Sequence, residues 1–218
     1  MERLIVSYLL SYLLQNNLIT RHQHEFLTKH STCIQLLETL NDWTLFLKSK
    51  FGVDSVYLDF AKAFDTVSHV KLLTKLTGYG IRGHLLGWIR AFLSSRSQSV
   101  KIDHFLSSPS YVKSGVPQGS VLGPILFLIY INDITYIFSG PVSIKLYADD
   151  AKLYSSIRCP DDSSLIESGV NSVTEWSSTW QLSLAVNKCS VLHVGSHATS
   201  HYRLRVSSLP ICNTISNL

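Results

Sequence analysis

The chain has 218 residues, of which 45% are hydrophobic, 16% charged and 11% aromatic. This length fits one large domain, or one domain with fragments of its neighbours, and the apolar fraction excludes a disordered chain. Because the charged fraction is low, we expect other protein to cover part of the surface. The sequence is therefore expected to be a piece of a larger protein.

The formal net charge of +4 is unevenly distributed along the chain. Eight basic residues lie between positions 62 and 113 against two acids, so this segment carries +6 and the remainder −2. The eight are Lys62, Lys71, Lys75, Arg82, Arg90, Arg96, Lys101 and Lys113. A basic segment beside an acidic remainder indicates a face for a polyanion, although an ordinary solvated basic surface gives the same bias.

Neither the cysteines nor the apolar segments indicate a secreted or membrane protein. The four cysteines are widely scattered, which excludes a zinc ribbon and a disulfide framework: Cys33, Cys159, Cys189 and Cys212. Reduced thiols in the cytosol or nucleus are the simplest account, and no targeting signal is readable. Leu4–Leu14 lacks a cleavage site, and Val121–Ile131 is too short to span a membrane and contains Pro124.

Three histidines raise the question of a zinc site. His193, His197 and His201 recur every fourth residue, a spacing that would align metal ligands on a helix. Gly195 and Ser196 instead favour a loop, so zinc is disfavoured.

Apolar residues at helical spacing predict four helices in the first half of the chain. They lie over 4–13, 32–47, 70–76 and 85–93. Thr32 and Gln35 predict a capping box at the start of the second helix. This helix is expected to bury the face made by Ile34, Leu37, Leu40, Trp43 and Leu47. Val53–Phe60 is predicted to be a strand buried on both faces.

The second half alternates short strands with helices. Strands are predicted over 98–102 and 110–113, a turn over 115–119 and an apolar helix over 121–137. Strands over 144–147 and 152–157 are joined by the hairpin signal Ala148–Asp149–Asp150–Ala151. Asp161 or Asp162 is expected to cap a helix with these residues inward: Ile166, Val170, Val173, Trp176 and Trp180. Val191–Val194 is the last predicted strand, with no closing element after it. The result is an α+β domain whose helices cover one side of an antiparallel sheet.

Three carboxylates stand at strand ends, where Asp is uncommon and costly to desolvate. Asp59 ends the first strand, and Asp149–Asp150 occupy the hairpin tip. Two such charges about 4 Å apart repel by roughly 4 kcal/mol at an effective dielectric of 20. If the strands are neighbours, divalent cations are the natural compensation, and two of them could clamp an in-line phosphoryl displacement. Alone, an Asp–Asp pair is more often simple turn chemistry.

Four segments give these acids their context. They are VYLDFAKAFD at 56–65, SGVPQGSVLGP at 114–124, YADD at 147–150, and Leu182–Cys189 with Asn187–Lys188. In this order they resemble the four palm motifs of reverse transcriptases. AFDTVSH at 63–69, GWI at 87–89, RSQ at 96–98 and the apolar segment 124–133 are similar to the enzymes of non-LTR (LINE-type) retrotransposons.

The resemblance implies how the chain is divided. It implies a polymerase palm over 53–195, with an antiparallel sheet backed by helices. Partial helical fingers would occupy 1–52, and residues 196–218 would form a truncated tail leading toward a missing thumb. No endonuclease or ribonuclease region is recognisable.

The resemblance also implies roles for the acids and a cofactor. Asp59 and Asp149 would be metal ligands, the carbonyl of Phe60 would help to hold the nucleotide-side metal, and Asp150 would complete the cluster. The cofactor would be a pair of Mg²⁺ ions, for which Mn²⁺ can substitute.

Nucleotide-binding residues follow from the same motifs, and the resemblance implies Lys62, Ala63, Phe64, Gln118, Gly119 and Lys188. Backbone amides around Ala63 would cradle the triphosphate. Phe64 resembles the steric gate that selects deoxynucleotides, although such an aromatic could equally be a core residue. Gln118 and Gly119 would pack against nucleotide and template where a Cβ is not tolerated, and a type II turn after Pro117 also explains them. Lys188 resembles the lysine that protonates pyrophosphate, but an isolated lysine is more often only solvated.

The implied partners are an RNA template, a DNA primer and a dNTP, with no membrane and no indication of oligomeric state. The implied nucleic-acid-binding residues are Arg82, Arg90, Arg96 and Lys101. An RNA polymerase is disfavoured, because Phe64 stands where those enzymes tend to have a second aspartate and Ala-Asp-Asp replaces Gly-Asp-Asp.

The chain departs from the family pattern near its start. The segment Gln23–Leu27 stands where many relatives have Gly-Phe-Arg, and Lys29 is a candidate substitute for the missing arginine. With fingers and thumb both incomplete, a second hypothesis stays open, namely a catalytically inactive retroelement remnant that at most binds nucleic acid.

Overall fold

The computed structural model describes residues 1–94, 96–138, 140–196, 199–204 and 207–212. Its α-helices are α1 (Glu2–Gln15), α2 (Thr32–Lys48), α3 (Ala63–Thr66), α4 (His69–Gly78), α5 (Gly83–Leu93), α6 (Gly123–Ile131) and α7 (Ser163–Trp180). Its strands are β1 (Gly52–Leu58), β2 (Ser97–Gln98), β3 (Lys101–Ile102), β4 (Phe105–Leu106), β5 (Ser110–Tyr111), β6 (Ser143–Tyr147), β7 (Asp150–Ile157), β8 (Ser190–Val194), β9 (Arg203–Leu204), β10 (Ser207–Ser208) and β11 (Ile211–Cys212). Short 3-10 helices cover Asn132–Ile137, Pro160–Asp162 and Val186–Lys188.

The chain forms two compact units. The first contains residues 1–19 and 62–130, and the second contains 20–61 and 131–218. The predicted division into fingers, palm and tail is a functional one with other boundaries, and it stays a prediction.

A five-stranded sheet in the order β11-β8-β1-β7-β6 is the centre of the second unit. β1 lies between β7 and β8 and pairs antiparallel with both, and β6 pairs antiparallel with β7. The expectation of a purely antiparallel sheet with no element after 195 is wrong, because β11 adds in parallel to the edge of β8. A two-residue strand is too short to show a period of two in the sequence.

Helices cover both faces of this sheet rather than one. On the α2 face, Trp43 packs with Val53, Tyr154 and Leu192. On the other face, the Trp176 ring of α7 lies edge-on to Phe60, with ring centroids 6.0 Å apart. The sheet is therefore sandwiched, which explains why β1 and β7 are buried almost throughout.

The buried face of α2 is not the predicted apolar one. Gln35, Thr39 and Trp43 are buried, whereas the remaining predicted core residues are 37–64% exposed: Ile34, Leu37, Leu40 and Leu47. Thr39 can be buried because its hydroxyl donates to the carbonyl of Gln35 within the helix. The predicted capping box is also wrong, since Ser31 is the N-cap and its Oγ accepts from the amide of Ile34.

α7 was predicted correctly in extent and in most of its core face. Ile166, Val170, Val173 and Trp176 are buried, and Trp180 is half-buried. Asp162 is the N-cap residue, but its carboxylate accepts from the backbone amides of Arg158 and Cys159 and makes no side-chain cap bond to the helix.

In the first unit, α4 and α5 confirm the predicted helices. α1 confirms the helix predicted over 4–13; it buries Leu9 and Leu13, whereas Leu4 and Tyr8 are mostly exposed. The apolar helix predicted over 121–137 is shorter than expected, because α6 ends at Ile131 and the chain continues as a 3-10 helix.

Residues 96–112 form an exposed β-hairpin, which we call the β-arm. β2 pairs with β5 and β3 pairs with β4, both antiparallel. Its exposed apolar side chains are Val100, Ile102, Phe105, Leu106 and Tyr111, each at least 64% accessible. No helix in the described ranges is both long enough and apolar enough to cross a membrane.

Candidate active site

The sheet brings the first and third motifs to the same end of neighbouring strands. Leu58 of β1 is opposite Ala151 of β7, the last pair of that ladder. Asp59 therefore follows directly on β1 beside Asp150, the first residue of β7. The prediction that these strands are neighbours is confirmed.

Asp149 sits in the tight turn between β6 and β7. Tyr147 pairs with Asp150, so the turn itself contains only Ala148 and Asp149. Ala148 has φ +50°, the left-handed region that an L-residue with a Cβ rarely adopts. The backbone at Ala148 thus directs the aspartate that follows it.

The pKa values of Asp149 and Asp150, at this end of the sheet, are both raised. Burial is the largest cause of the raised pKa of Asp149, and the charge of Asp59 adds to it. Burial also raises the pKa of Asp150, with further contributions from Asp149 and Asp59. In both cases the Lys188 ammonium acts in the opposite direction.

The fourth motif lies against Asp59. Lys188 Nζ is 3.3 Å from Oδ2 of Asp59 and 3.5 Å from Oδ1. Behind the aspartate, the backbone amide of Asp59 points to the Cys189 sulfur at 3.5 Å, and the Ala185 amide donates to the Asp59 carbonyl at 2.8 Å. The Asp59 backbone is therefore held from one side by residues 185–189.

The donor set is chemically suited to a hard cation, because it consists of carboxylate oxygens in a partly buried, net negative environment. Within the described ranges, no three His, Cys, Asp or Glu side chains are already arranged as a metal site. The structure therefore shows negative charges that converge at this end of the sheet, and not a completed coordination shell.

A cavity of about 800 Å³ opens beside these acids. Its walls come from α2 and from the sheet, and Asp59, Asp150 and Lys188 line it together with Gln35 and Tyr57. Lys152 lies on its sheet wall with Nζ 5.0 Å from the Tyr57 ring centroid, and burial lowers the pKa of this lysine.

In the first unit, the last residues of the first motif are hydrogen-bonded to the second motif. Gln118 Nε2 donates to Asp65 Oδ1 at 2.8 Å, and the Val116 amide donates to the Phe64 carbonyl at 2.8 Å. The Phe64 ring stacks on Phe127 of α6, with centroids 4.2 Å apart and planes 21° apart. The predicted gate residue is thus packed against a buried ring and bonded to the second motif.

Gly115 and Gly119 each favour a residue without a Cβ, but for different reasons. A Cβ on Gly115 would lie 2.7 Å from the Asp65 carbonyl oxygen. Gly119 has no protein atom within 4 Å of such a Cβ, and its φ of +79° is what favours glycine there; the expected packing against nucleotide and template stays a prediction. The Ser120 amide donates to the Pro117 carbonyl at 3.2 Å, which closes the predicted turn.

The predicted basic residues are mostly on the surface. Arg82, Arg90, Arg96 and Lys101 are exposed, and the Arg96 guanidinium lies 4.9 Å from the Phe92 ring centroid. Lys75 is buried and donates to the carbonyl of Tyr130, so it does not belong to a polyanion face.

The histidine spacing does not produce a helical ligand set. His193 lies in β8, and its Nδ1 is 2.5 Å from Oδ1 of the buried Asp54. His197 is outside the described residues, and His201 is exposed.

Two residues near the acids were not predicted as site residues. Gln23 lies under the β6–β7 turn, where its amide contacts Ala148. Glu25 has a pKa raised mainly by burial and further by Asp149 and Asp150, which places a fourth carboxylate in the field of the doublet. The departure of 23–27 from the family pattern was the only sequence signal for either residue.

The family model "Reverse transcriptase (RNA-dependent DNA polymerase)" matches residues 1–209. The chain belongs to the reverse transcriptase family. Its relatives include the RNA-directed DNA polymerase from mobile element jockey of Drosophila funebris, 32% identical over 87% of this chain. The probable RNA-directed DNA polymerase from transposon BS of Drosophila melanogaster is 29% identical over 93% of it. The predicted likeness to retrotransposon enzymes is confirmed. The chain spans only 21% and 24% of the lengths of these relatives.

Two solved telomerase structures are similar to this chain in fold. One is telomerase from Candida tropicalis in complex with a fragment of telomeric RNA, with a TM-score of 0.68 and 12% sequence identity. The match covers 93% of this chain and 34% of the telomerase chain. The other is telomerase from Candida albicans, also in complex with a telomeric RNA fragment, with a TM-score of 0.61 and 16% sequence identity. The match covers 95% of this chain and 36% of the telomerase chain. These likenesses confirm the α+β polymerase fold.

Proposed function

We propose that this chain is the catalytic core region of an RNA-directed DNA polymerase. The reaction would transfer a nucleotide from a dNTP to the 3′-hydroxyl of a primer paired to an RNA template. The observation that carries the proposal is the meeting of Asp59, Asp150 and the Asp149 turn at one end of the sheet. Family membership supports the same chemistry.

Asp59 and Asp149 would hold two divalent cations, Mg²⁺ or Mn²⁺, with the Phe60 carbonyl and Asp150 completing the oxygen donors. When bound, such ions neutralise phosphate charge and lower the pKa of a coordinated hydroxyl. The residues themselves position the reactants, and the paired Lys188 would offset part of the carboxylate charge and donate a proton to the leaving pyrophosphate.

The nucleotide would lie along the segment that follows β1. Backbone amides of Lys62, Ala63 and Phe64 would contact the triphosphate, and the Phe64 ring would exclude a ribose 2′-hydroxyl. Gln118 and Gly119 would contact the nucleotide and template. Stacking of Phe64 on Phe127 supports this role, because a gate must resist displacement by the sugar.

The nucleic acid would contact the exposed Arg82, Arg90, Arg96 and Lys101. Guanidinium and ammonium groups bind phosphates without sequence preference, which suits a polymerase. The RNA in the telomerase complex supports an RNA-binding role for this fold.

For the cellular compartment, we propose the cytosol or nucleus, where the free cysteines would stay reduced.

Primer extension on a homopolymeric RNA template with a DNA primer tests the proposal. Asp59→Ala and Asp149→Ala should each reduce incorporation by about a thousandfold, because several kcal/mol of transition-state stabilisation depend on the metal site. Asp161→Ala removes an exposed acid before α7 and should leave incorporation unchanged. Equal incorporation by all four proteins would contradict the assigned chemistry.

A second candidate is an inactive remnant that binds nucleic acid. It is favoured by the exposed basic side chains Arg82, Arg90, Arg96 and Lys101, which could bind phosphates without any catalysis. Binding of a labelled RNA–DNA duplex should then weaken steeply with salt, while extension is absent in wild type as in Asp149→Ala. Binding that is insensitive to salt would exclude the basic face from either function.

A further inference from the structure

The segment before α2 joins the open edge of the catalytic sheet. Gln23 forms a parallel bridge with Leu146 of β6, the edge strand. The His24 amide donates to the Leu146 carbonyl at 3.0 Å, and the Leu146 amide donates to the His22 carbonyl at 2.8 Å. This short pairing ends just before the turn that carries Asp149.

The side chain of Gln23 continues the pairing where the backbone ladder stops. Its Oε1 accepts from the Ala148 amide at 3.1 Å, and its Nε2 donates to the Ala148 carbonyl at 3.3 Å. The same Oε1 accepts from the amides of His24 and Glu25, both at 3.0 Å. Gln23 is 1% exposed. One primary amide therefore satisfies both polar groups of Ala148 and is itself held by its own segment.

The turn needs such support because of its sequence. Two-residue hairpin turns with positive φ favour Asn or Gly, and here the left-handed position is filled by Ala. Local propensity therefore does not hold Ala148 in place. A buried hydrogen-bonding partner on a separate segment can hold it.

We propose that Gln23 is a positioning residue for the catalytic aspartates. This role rests on the proposed function. Gln23 would fix the peptide unit before Asp149, so that the Asp149 carboxylate stays in place beside Asp59. Groups that orient metal ligands without touching the metal commonly change metal affinity or activity by 10- to 100-fold when removed.

Only glutamine provides this pair of contacts at this distance. Gln23→Glu keeps the length and the acceptor but removes the N–H donor that meets the Ala148 carbonyl. Gln23→Met keeps the length and removes both groups. Both variants keep the side-chain length, so their effects report loss of the hydrogen bonds rather than loss of volume.

Asn132→Leu is the matched control. Asn132 is also 1% exposed, and its Oδ1 accepts from the Thr20 amide at 2.8 Å. It fastens the same segment that carries Gln23, but through the amide of Thr20 rather than through a group of the β6–β7 turn. Its loss should lower stability without moving the aspartates.

The test is a titration of the full chain with Tb³⁺, a hard, oxygen-preferring cation, with its luminescence excited through tyrosine. Tyr147 lines the same cavity as Asp59 and Asp150 and can sensitise the ion. Competition with Mg²⁺ then ranks the Mg²⁺ affinities of wild type and variants. Circular dichroism melts establish that each variant is folded at the titration temperature.

We expect Gln23→Glu and Gln23→Met to bind Tb³⁺ 10- to 100-fold more weakly than wild type, and Asn132→Leu to stay within about twofold. In primer extension, the Gln23 variants should lose kcat with little change in the KM for dNTP. Wild-type Tb³⁺ affinity in folded Gln23 variants, with Asp149→Ala impaired, would overturn the role of Gln23 alone. Equal affinity in wild type and Asp149→Ala would instead overturn the proposed metal site and the role of Gln23 with it.

Discussion

The ammonium of Lys188 lies 3.3 Å from Oδ2 of Asp59, so the fourth motif supplies a cation directly to the aspartate of the first. The pair is partly open to solvent, since 64% of the Lys188 side chain and 25% of the Asp59 side chain are accessible. Its contribution to folding is therefore small, as is usual for exposed ion pairs. Its value lies in the electrostatics of the neighbouring carboxylates.

Removing this lysine should change the pH profile of primer extension. The charge of Lys188 lowers the pKa of Asp149 and of Asp150, so in Lys188→Ala these already raised pKa values should rise further. Incorporation should fall by about 10- to 100-fold, with the acidic limb of the profile moved to higher pH. Lys188→Arg keeps the charge and should keep the position of that limb. An unshifted limb in Lys188→Ala would show that this lysine does not tune the acids.

Replacing the stacked ring at position 64 should relax sugar selection. Phe64→Ala removes the side chain proposed to meet a 2′-hydroxyl, so discrimination between dNTP and rNTP should fall by about 10- to 200-fold. Competition between the two nucleotides in primer extension measures it. Phe127→Leu leaves the Phe64 ring in place but removes the surface it stacks on, and should loosen discrimination less. Unchanged discrimination in Phe64→Ala would remove the gate assignment.

Neutralising Asp149 should stabilise the metal-free protein while abolishing activity. Its pKa is raised above the ordinary 3.8, so its charged form disfavours the folded state. Asp149→Asn should thus increase the free energy of unfolding at pH 7 by about 1 kcal/mol, a typical gain on relieving a destabilised active site. Because the wild-type carboxyl becomes protonated, this advantage should vanish as pH falls through the raised pKa towards 3.8. Urea unfolding in chelator at several pH values measures it.

Two outcomes give this experiment its control and its limit. Asp161→Asn, at an exposed position, should show no comparable gain. Saturating Mg²⁺ should stabilise wild type and not Asp149→Asn, because the variant lacks a carboxylate proposed to hold the ion in the folded state. A variant that is less stable than wild type in chelator at pH 7 would contradict the assigned electrostatics.

The two glycines of the second motif should differ in their tolerance of alanine. Gly115→Ala places a Cβ 2.7 Å from the Asp65 carbonyl oxygen at φ +89°, and should cost about 2–3 kcal/mol of folding free energy. Gly119→Ala meets only the strain of φ +79° and should cost about 1 kcal/mol. Thermal or urea unfolding of both variants gives the comparison. Equal costs would mean that Asp65 does not confine Gly115.

The strands and motifs of the sheet were predictable because burial on both faces leaves a direct mark on the sequence. Val56–Leu58 is a continuous apolar run in a strand that is buried almost throughout, whereas the half-buried β6 was recognisable from the hairpin signal that follows it. Asp59 and Asp150 then lie beside each other because β1 pairs with β7. The face of α2 was not predictable, because the Thr39 hydroxyl is satisfied within the helix and Gln35 lines the cavity beside the acids. Periodicity ranks apolar residues and cannot anticipate such compensation.

The residue that holds the turn before Asp149 was harder to predict from the sequence than the aspartates themselves. The motifs alone led to the proposal of Asp59, Asp149 and Asp150 as site residues, whereas Gln23 contacts Ala148 across 125 positions of chain. Nothing in the local sequence of a buried glutamine indicates which distant peptide it will bond. Its roles as acceptor and donor become visible only when the edge of β6 is known.

The β-arm has a practical consequence for work on the isolated chain. Its short strands present open backbone edges beside five accessible apolar side chains, while a free two-stranded hairpin is itself only marginally stable. Arms from different molecules can therefore add to one another edge to edge, and concentrated samples should lose monomer through this route. Placing a charge at Ile102 would interrupt the apolar row and is the first change to make when preparing the protein for solution measurements.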